Sequence, residues 1–180
     1  GFRTERRACE AGDRFAGFGV DAATLSDSLA ERCRPSPVSM MFFNGTADPL
    51  VPWAGGELGS RGHALGVEAT LMRWAAWDRC SGTPTEETLP DTAHDGTTAS
   101  VRRYAPCADG TAIVAYKFTG GGHTWPGGLQ YLPPMFVGVA SKNLDGSRTL
   151  WAFFASRRRQ DMLRPGGPDG GPDTLTSDNR

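Results

Sequence analysis

The sequence predicts an α/β domain, and three patterns carry that prediction. Val38-Ser39-Met40-Met41-Phe42-Phe43 is a nearly unbroken apolar run, as expected of a strand buried on both faces. Val67, Leu71, Trp74 and Trp77 recur at helical spacing. A second apolar stretch, Ala112 to Phe118, follows, and Leu150, Phe153 and Phe154 mark a last helix. Strand, helix, strand, helix is the order of a sheet covered by helices.

Each element has its own signal. Gly1 to Gly12 is charged and helix-compatible, with Gly12 as a stop. Phe15 to Ala22 alternates loosely, as a short strand does. Leu25 to Pro37 holds turn formers and reads as a connection. The helix of the tryptophans is predicted over His63 to Arg79, with His63 at its start. Thr83 to Ala99 is polar and reads as a loop. Ser100 to Tyr104 and Ala112 to Phe118 read as strands, with Ala108-Asp109-Gly110 turning between them. Asp145 or Ser147 is placed to cap the last helix, and Arg157-Arg158-Arg159 to favour its C-terminal dipole. Residues 1–160 make the domain. Residues 161–180, with Pro165-Gly166-Gly167-Pro168-Asp169, bury too little apolar surface to order and are expected to be a disordered tail.

The 180 residues suit one domain with a real core. A net charge of -1 and a pI near 6.3 give no electrostatic case for nucleic acid or an anionic membrane. No apolar run has the length of a membrane span. The four cysteines, Cys9, Cys33, Cys80 and Cys107, form no C-x-x-C pair, so neither a zinc site nor any other metal or cofactor is implied. Three pairings are open to them; the sequence-local one, Cys9–Cys33 and Cys80–Cys107, is the one expected, with reduced buried thiols as the other reading. Disulfides would imply an oxidising, extracellular setting.

The chemistry concentrates in two strand-end loops. His123 stands in Gly120-Gly121-Gly122-His123-Thr124-Trp125-Pro126-Gly127-Gly128, directly after an apolar stretch. Asp48 stands in Phe43-Asn44-Gly45-Thr46-Ala47-Asp48-Pro49, also just past one. An acid followed by a base, each at a strand end, gives the last two members of a Ser…Asp…His triad. Pro49 fixes a turn after the aspartate. Trp53 and Trp125 follow the pair closely and can line an acyl or aryl pocket. Asp91, His94 and Asp95 are metal-ligand types, but they sit in a polar loop with no fourth ligand in view.

On these residues the chain resembles the secreted esterases that group polyhydroxybutyrate depolymerases with feruloyl and acetylxylan esterases. The resemblance covers Ala8 to Arg158. It rests on Gly45-Thr46-Ala47-Asp48-Pro49-Leu50-Val51-Pro52-Trp53, Trp77-Asp78-Arg79-Cys80, the Gly120 to Gly128 run, Tyr131-Leu132-Pro133-Pro134 and Leu150-Trp151-Ala152-Phe153-Phe154. It implies an α/β-hydrolase fold with a mostly parallel sheet, Asp48 as triad acid, His123 as base, and an ester substrate, small or polymeric; Trp53, Trp125 and Tyr131 are the residues expected to line a pocket for an acyl or aromatic group. Ala8-Cys9-Glu10 and Asp13-Arg14-Phe15 match the end of the helix that follows the family's nucleophile. No Gly-x-Ser-x-Gly elbow occurs among these residues. The expectation is therefore the C-terminal half of the fold, inert and poorly soluble alone, with its N-terminal half, the elbow included, missing. Ser60 and Ser141 lack an elbow's context as substitutes. The competing expectation is a non-catalytic, ligand-binding pseudo-hydrolase.

Overall fold

A computed structural model describes residues 1–157. Its central sheet has five strands: β1 (Gly17–Asp21), β2 (Ser39–Gly45), β5 (Thr85–Thr88), β6 (Thr98–Tyr104) and β7 (Ile113–Thr119). They lie in the order β1-β2-β7-β6-β5. β1 pairs parallel with β2, and β2 parallel with β7. β6 and β5 then run antiparallel. The sheet is mixed, so the expected mostly parallel sheet is corrected. The cause lies in the short link from Tyr104 to Ile113: a parallel crossover needs a dozen or more residues, whereas a short turn reverses the chain.

Seven of seven residues of β2 are buried, which is why it carries apolar side chains on both faces. Met40 and Phe42 point into one cluster with Phe18, Val20, Leu71, Trp74 and Ile113. Helices α1 (Phe2–Ala11) and α3 (Val67–Trp77) cover that face through Ala8, Val67, Leu71 and Trp74. Met41 and Phe43 point the other way, into a cluster with Val101, Val114, Phe118 and Phe153. Helix α5 (Gly146–Ala155) covers this second face, started by Asp145, whose side chain accepts from Arg148 N. Helices on both faces of one sheet make this an α/β fold.

Several local expectations are corrected. His63 opens no helix: His63–Leu65 is strand β4, paired antiparallel with β3 (Gly55–Glu57), and α3 starts only at Val67. The connection from Leu25 to Pro37 contains a short helix, α2 (Asp27–Arg32), started by the Ser26 side chain accepting from Leu29 N. The loop from Thr83 contains β5. Disulfides join Cys9 to Cys33 and Cys80 to Cys107. The first ties α1 to the end of α2, the second ties the end of α3 to the turn before β7. α5 ends at Ala155, so Arg157 lies beyond it, over the Phe153 ring at 4.6 Å. Arg158, Arg159 and the tail of residues 161–180 lie outside the described residues.

Candidate active site

Two parallel neighbours, β2 and β7, bring the site together. Their register sets Gly45 opposite Phe118. Both chains then turn off the same end of the sheet, and the two turns lock: Thr46 N donates to Phe118 O at 2.9 Å, Ala47 N donates to Gly121 O at 2.9 Å, and Gly120 N donates to Thr46 Oγ1 at 3.0 Å. Asp48 follows the first turn and His123 the second. Asp48 Oδ2 stands 2.9 Å from His123 Nδ1. Its other oxygen, Oδ1, accepts from Leu50 N and Val51 N, each at 2.8 Å. The Asp48 side chain is 2% exposed and the imidazole 27%. An acid nearly sealed from water thus orients a base that still faces outward.

The glycine run before His123 works mainly by closeness. A Cβ on Gly122 would lie 2.1 Å from Val137 O, and one on Gly45 2.2 Å from Gly121 O. Only a residue with no side chain lets these backbones approach so closely. The histidine is held on both sides of its own backbone. His123 N donates to Val137 O at 2.6 Å, and Tyr131 Oη donates to His123 O at 2.9 Å.

Tyr131 is thereby tied to the backbone of His123, in a segment where Leu129, Leu132, Met135 and Phe136 are also exposed. The tryptophans do not come together. Trp53 packs on the α1–α3 face of the sheet, with Lys117 Nζ 5.3 Å from its ring centre. Trp125 packs on the α5 face, edge-on to Phe43 at 5.6 Å, and donates from Nε1 to Ser147 Oγ at 3.1 Å. Ser141 is buried, its hydroxyl accepting from Thr97 Oγ1, and Ser60 lies in the turn Gly59–Arg61. Among the described residues nothing hydrogen-bonds His123 Nε2. Asp91 and Asp95 order their own loop: Asp91 Oδ1 accepts from His94 N, and Asp95 Oδ1 from Thr97 N.

One group at this site has no sequence motif. Asp21 ends β1, the strand beside β2. Burial pushes its carboxyl up to about 7; the charge of His123 pulls it down and that of Asp48 pushes it up. The signal was limited to an acid closing a loosely alternating strand. Asn44, also at the strand end, is buried and donates to Ala23 O at 3.1 Å.

A buried carboxylate that fixes an imidazole, set at the strand ends of an α/β sheet, is the arrangement by which hydrolases deprotonate a hydroxyl. The comparisons with known proteins agree with that class. No protein-family model matches the sequence. The chain is 32% identical over 163 residues, 85% of its length, to "Putative esterase NocK" of Nocardia uniformis subsp. tsuyamanensis. That likeness supports an esterase family. The chain spans about half of this relative, 47% of its length.

Proposed function

We propose that the chain supplies the acid and base of a secreted serine esterase of the polyhydroxybutyrate depolymerase, feruloyl and acetylxylan esterase group, as the C-terminal half of an α/β-hydrolase fold. The observation that carries this reading is the Asp48 Oδ2 to His123 Nδ1 contact of 2.9 Å, with Nε2 unbonded among the described residues. Asp48 holds the tautomer that leaves Nε2 as the acceptor and stabilises the imidazolium once formed. Nε2 takes the proton of a serine hydroxyl as its oxygen attacks the ester carbonyl. The imidazolium then returns that proton to the departing alcohol. Water repeats both steps on the acyl-enzyme and frees the acid.

The serine in this reading lies outside these 180 residues. Two features support its place before α1. The helix starts against the end of β1, where a Cβ on Gly1 would fall 2.0 Å from that of Ala23. Asp21, on the same strand end, feels the charge of His123. The helix start and the base thus share one corner of the sheet. The outer edge of β1 has no partner strand among the described residues, as a half-sheet would leave it. Tyr131, whose hydroxyl reaches the His123 carbonyl, is placed in this reading against the ester. Two disulfides fit an extracellular setting, and no described helix is long and apolar enough to cross a membrane.

The test is kinetic. A p-nitrophenyl butyrate assay should show no turnover by the 180-residue chain. Turnover should appear in the gene product that includes a nucleophile segment, and His123→Ala and Asp48→Ala should abolish it. Turnover by the 180 residues alone, lost in His123→Ala, contradicts the external serine. An extended product that is folded, inert and unlabelled by a fluorophosphonate contradicts the esterase reading.

A further inference from the structure

A second open space lies away from the dyad. A cleft of about 690 Å³ opens between α1, α2 and the β3–β4 hairpin, and neither Asp48 nor His123 lines it. That volume falls in the range of small-molecule sites. Its apolar lining comes from Phe2, Leu29, Leu58 and the Cys9–Cys33 disulfide.

The charges around it do not cancel. Arg6 is paired with Glu10 at 2.7 Å, and His63 with Asp27 at 2.7 Å. Glu5, fully buried on the α1 side, is pushed by that burial up to about 8, so it is uncharged at neutral pH. Arg3 makes no hydrogen bond or ion pair among the described residues. Arg32 engages only its Nε, with Ser28 O at 3.1 Å. Two guanidinium groups without an ion-pair partner among the described residues therefore line a partly apolar cleft, beside the uncharged Glu5 and a Glu10 already engaged by Arg6. Guanidinium recognises a carboxylate through paired, charge-assisted hydrogen bonds.

We propose that this cleft binds a small amphiphilic carboxylate, its apolar body on Phe2, Leu29 and Leu58 and its head group held by Arg3 and Arg32. The apolar body supplies affinity by burial, and the arginines select the anion over its neutral counterpart. The Cys9–Cys33 bridge fixes α1 to α2, so the two arginines, one on each helix, keep their spacing.

The probes are 4-phenylbutanoate and its neutral analogue 4-phenyl-1-butanol, titrated into the full-length gene product by calorimetry at neutral pH. The acid should bind at least tenfold more tightly than the alcohol, and salt should narrow the gap. Arg3→Gln and Arg32→Gln should each weaken the acid at least fivefold and leave the alcohol unchanged. Both sites are exposed, so both variants should fold; circular dichroism checks this. His123→Ala should leave binding intact. Equal binding of acid and alcohol, no binding of either, or loss in His123→Ala with none in Arg32→Gln would each overturn the proposal.

Discussion

Replacing Glu5 by glutamine should stabilise the chain in alkaline solution and leave it nearly unchanged in mild acid. Glu5 is 0% exposed. Its Oε1 meets only Trp74 Nε1, at 3.5 Å, and its Oε2 has no partner. Burial without adequate hydrogen bonding disfavours the charged form, and the carboxyl rises from 4.5 to about 8. Below 4.5 it is protonated in both folded and unfolded chains and contributes nothing. Between 4.5 and 8 the folded chain keeps a proton that the unfolded chain releases, so stability falls as pH rises. Above 8 the loss is complete, at roughly 5 kcal/mol, from 1.36 kcal/mol per pH unit. Glutamine keeps the shape and the oxygen that accepts from Trp74 Nε1, without the charge. Urea unfolding followed by tryptophan fluorescence should give wild type and Glu5→Gln stabilities within about 1 kcal/mol at around pH 5, and the variant should be ahead by several kcal/mol at around pH 9. Other titrating groups cancel in the difference between the two proteins. Parallel stability curves across that range would refute the reasoning.

Asp48→Ala should cost about 2–4 kcal/mol, because two backbone N–H groups lose their acceptor; chemical denaturation measures it, and a cost below 1 kcal/mol would mean that water replaces the carboxylate. Removing either disulfide by paired serine substitution should cost roughly 3.5 kcal/mol on loop entropy, from sequence separations of 24 and 27 residues, read as a fall in urea midpoint. Gly122→Ala should destabilise by about 2–3 kcal/mol through overpacking against the Val137 carbonyl; an unchanged melting temperature would show that the loop yields. The 180-residue chain should self-associate through the unpaired edge of β1, and a monomer by analytical ultracentrifugation with a cooperative melt would contradict this.

β2 and β7 could be read in advance because burial on both faces leaves few polar positions. The dyad could be read because Asp-Pro and a glycine-flanked histidine each follow such a strand. β5 could not: Thr85–Thr88 is wholly exposed. Its support comes from across the ladder, where Arg102 meets Glu86 and Arg103 meets Glu87, and cross-strand ion pairs leave no apolar alternation. The β3–β4 hairpin was hidden for a related reason. Gly55 and Gly56 hold positive φ, which marks a turn rather than a strand, and His63 to Leu65 leads directly into the helix that starts at Val67. α2 has six residues, too few for a periodic signal, and depends on its Ser26 cap. The two tryptophans sit near the dyad in sequence, yet each lies in a loop past its strand end, and the two loops carry them to opposite faces of the sheet.

The clamp on His123 also limits how the site can vary. Its amide is held by Val137 and its carbonyl by Tyr131, so the segment from Trp125 to Phe136 leaves the histidine and returns to it. Leu129, Leu132, Met135 and Phe136 on that segment are exposed and make few demands on the fold. Their side chains can change at little cost to stability. A change in the segment's length cannot, since it would pull on Val137 and turn the imidazole away from Asp48. Variation in what this corner accepts should therefore come by exchange of residues within a segment of fixed length, with insertions confined to loops that do not close back on the base.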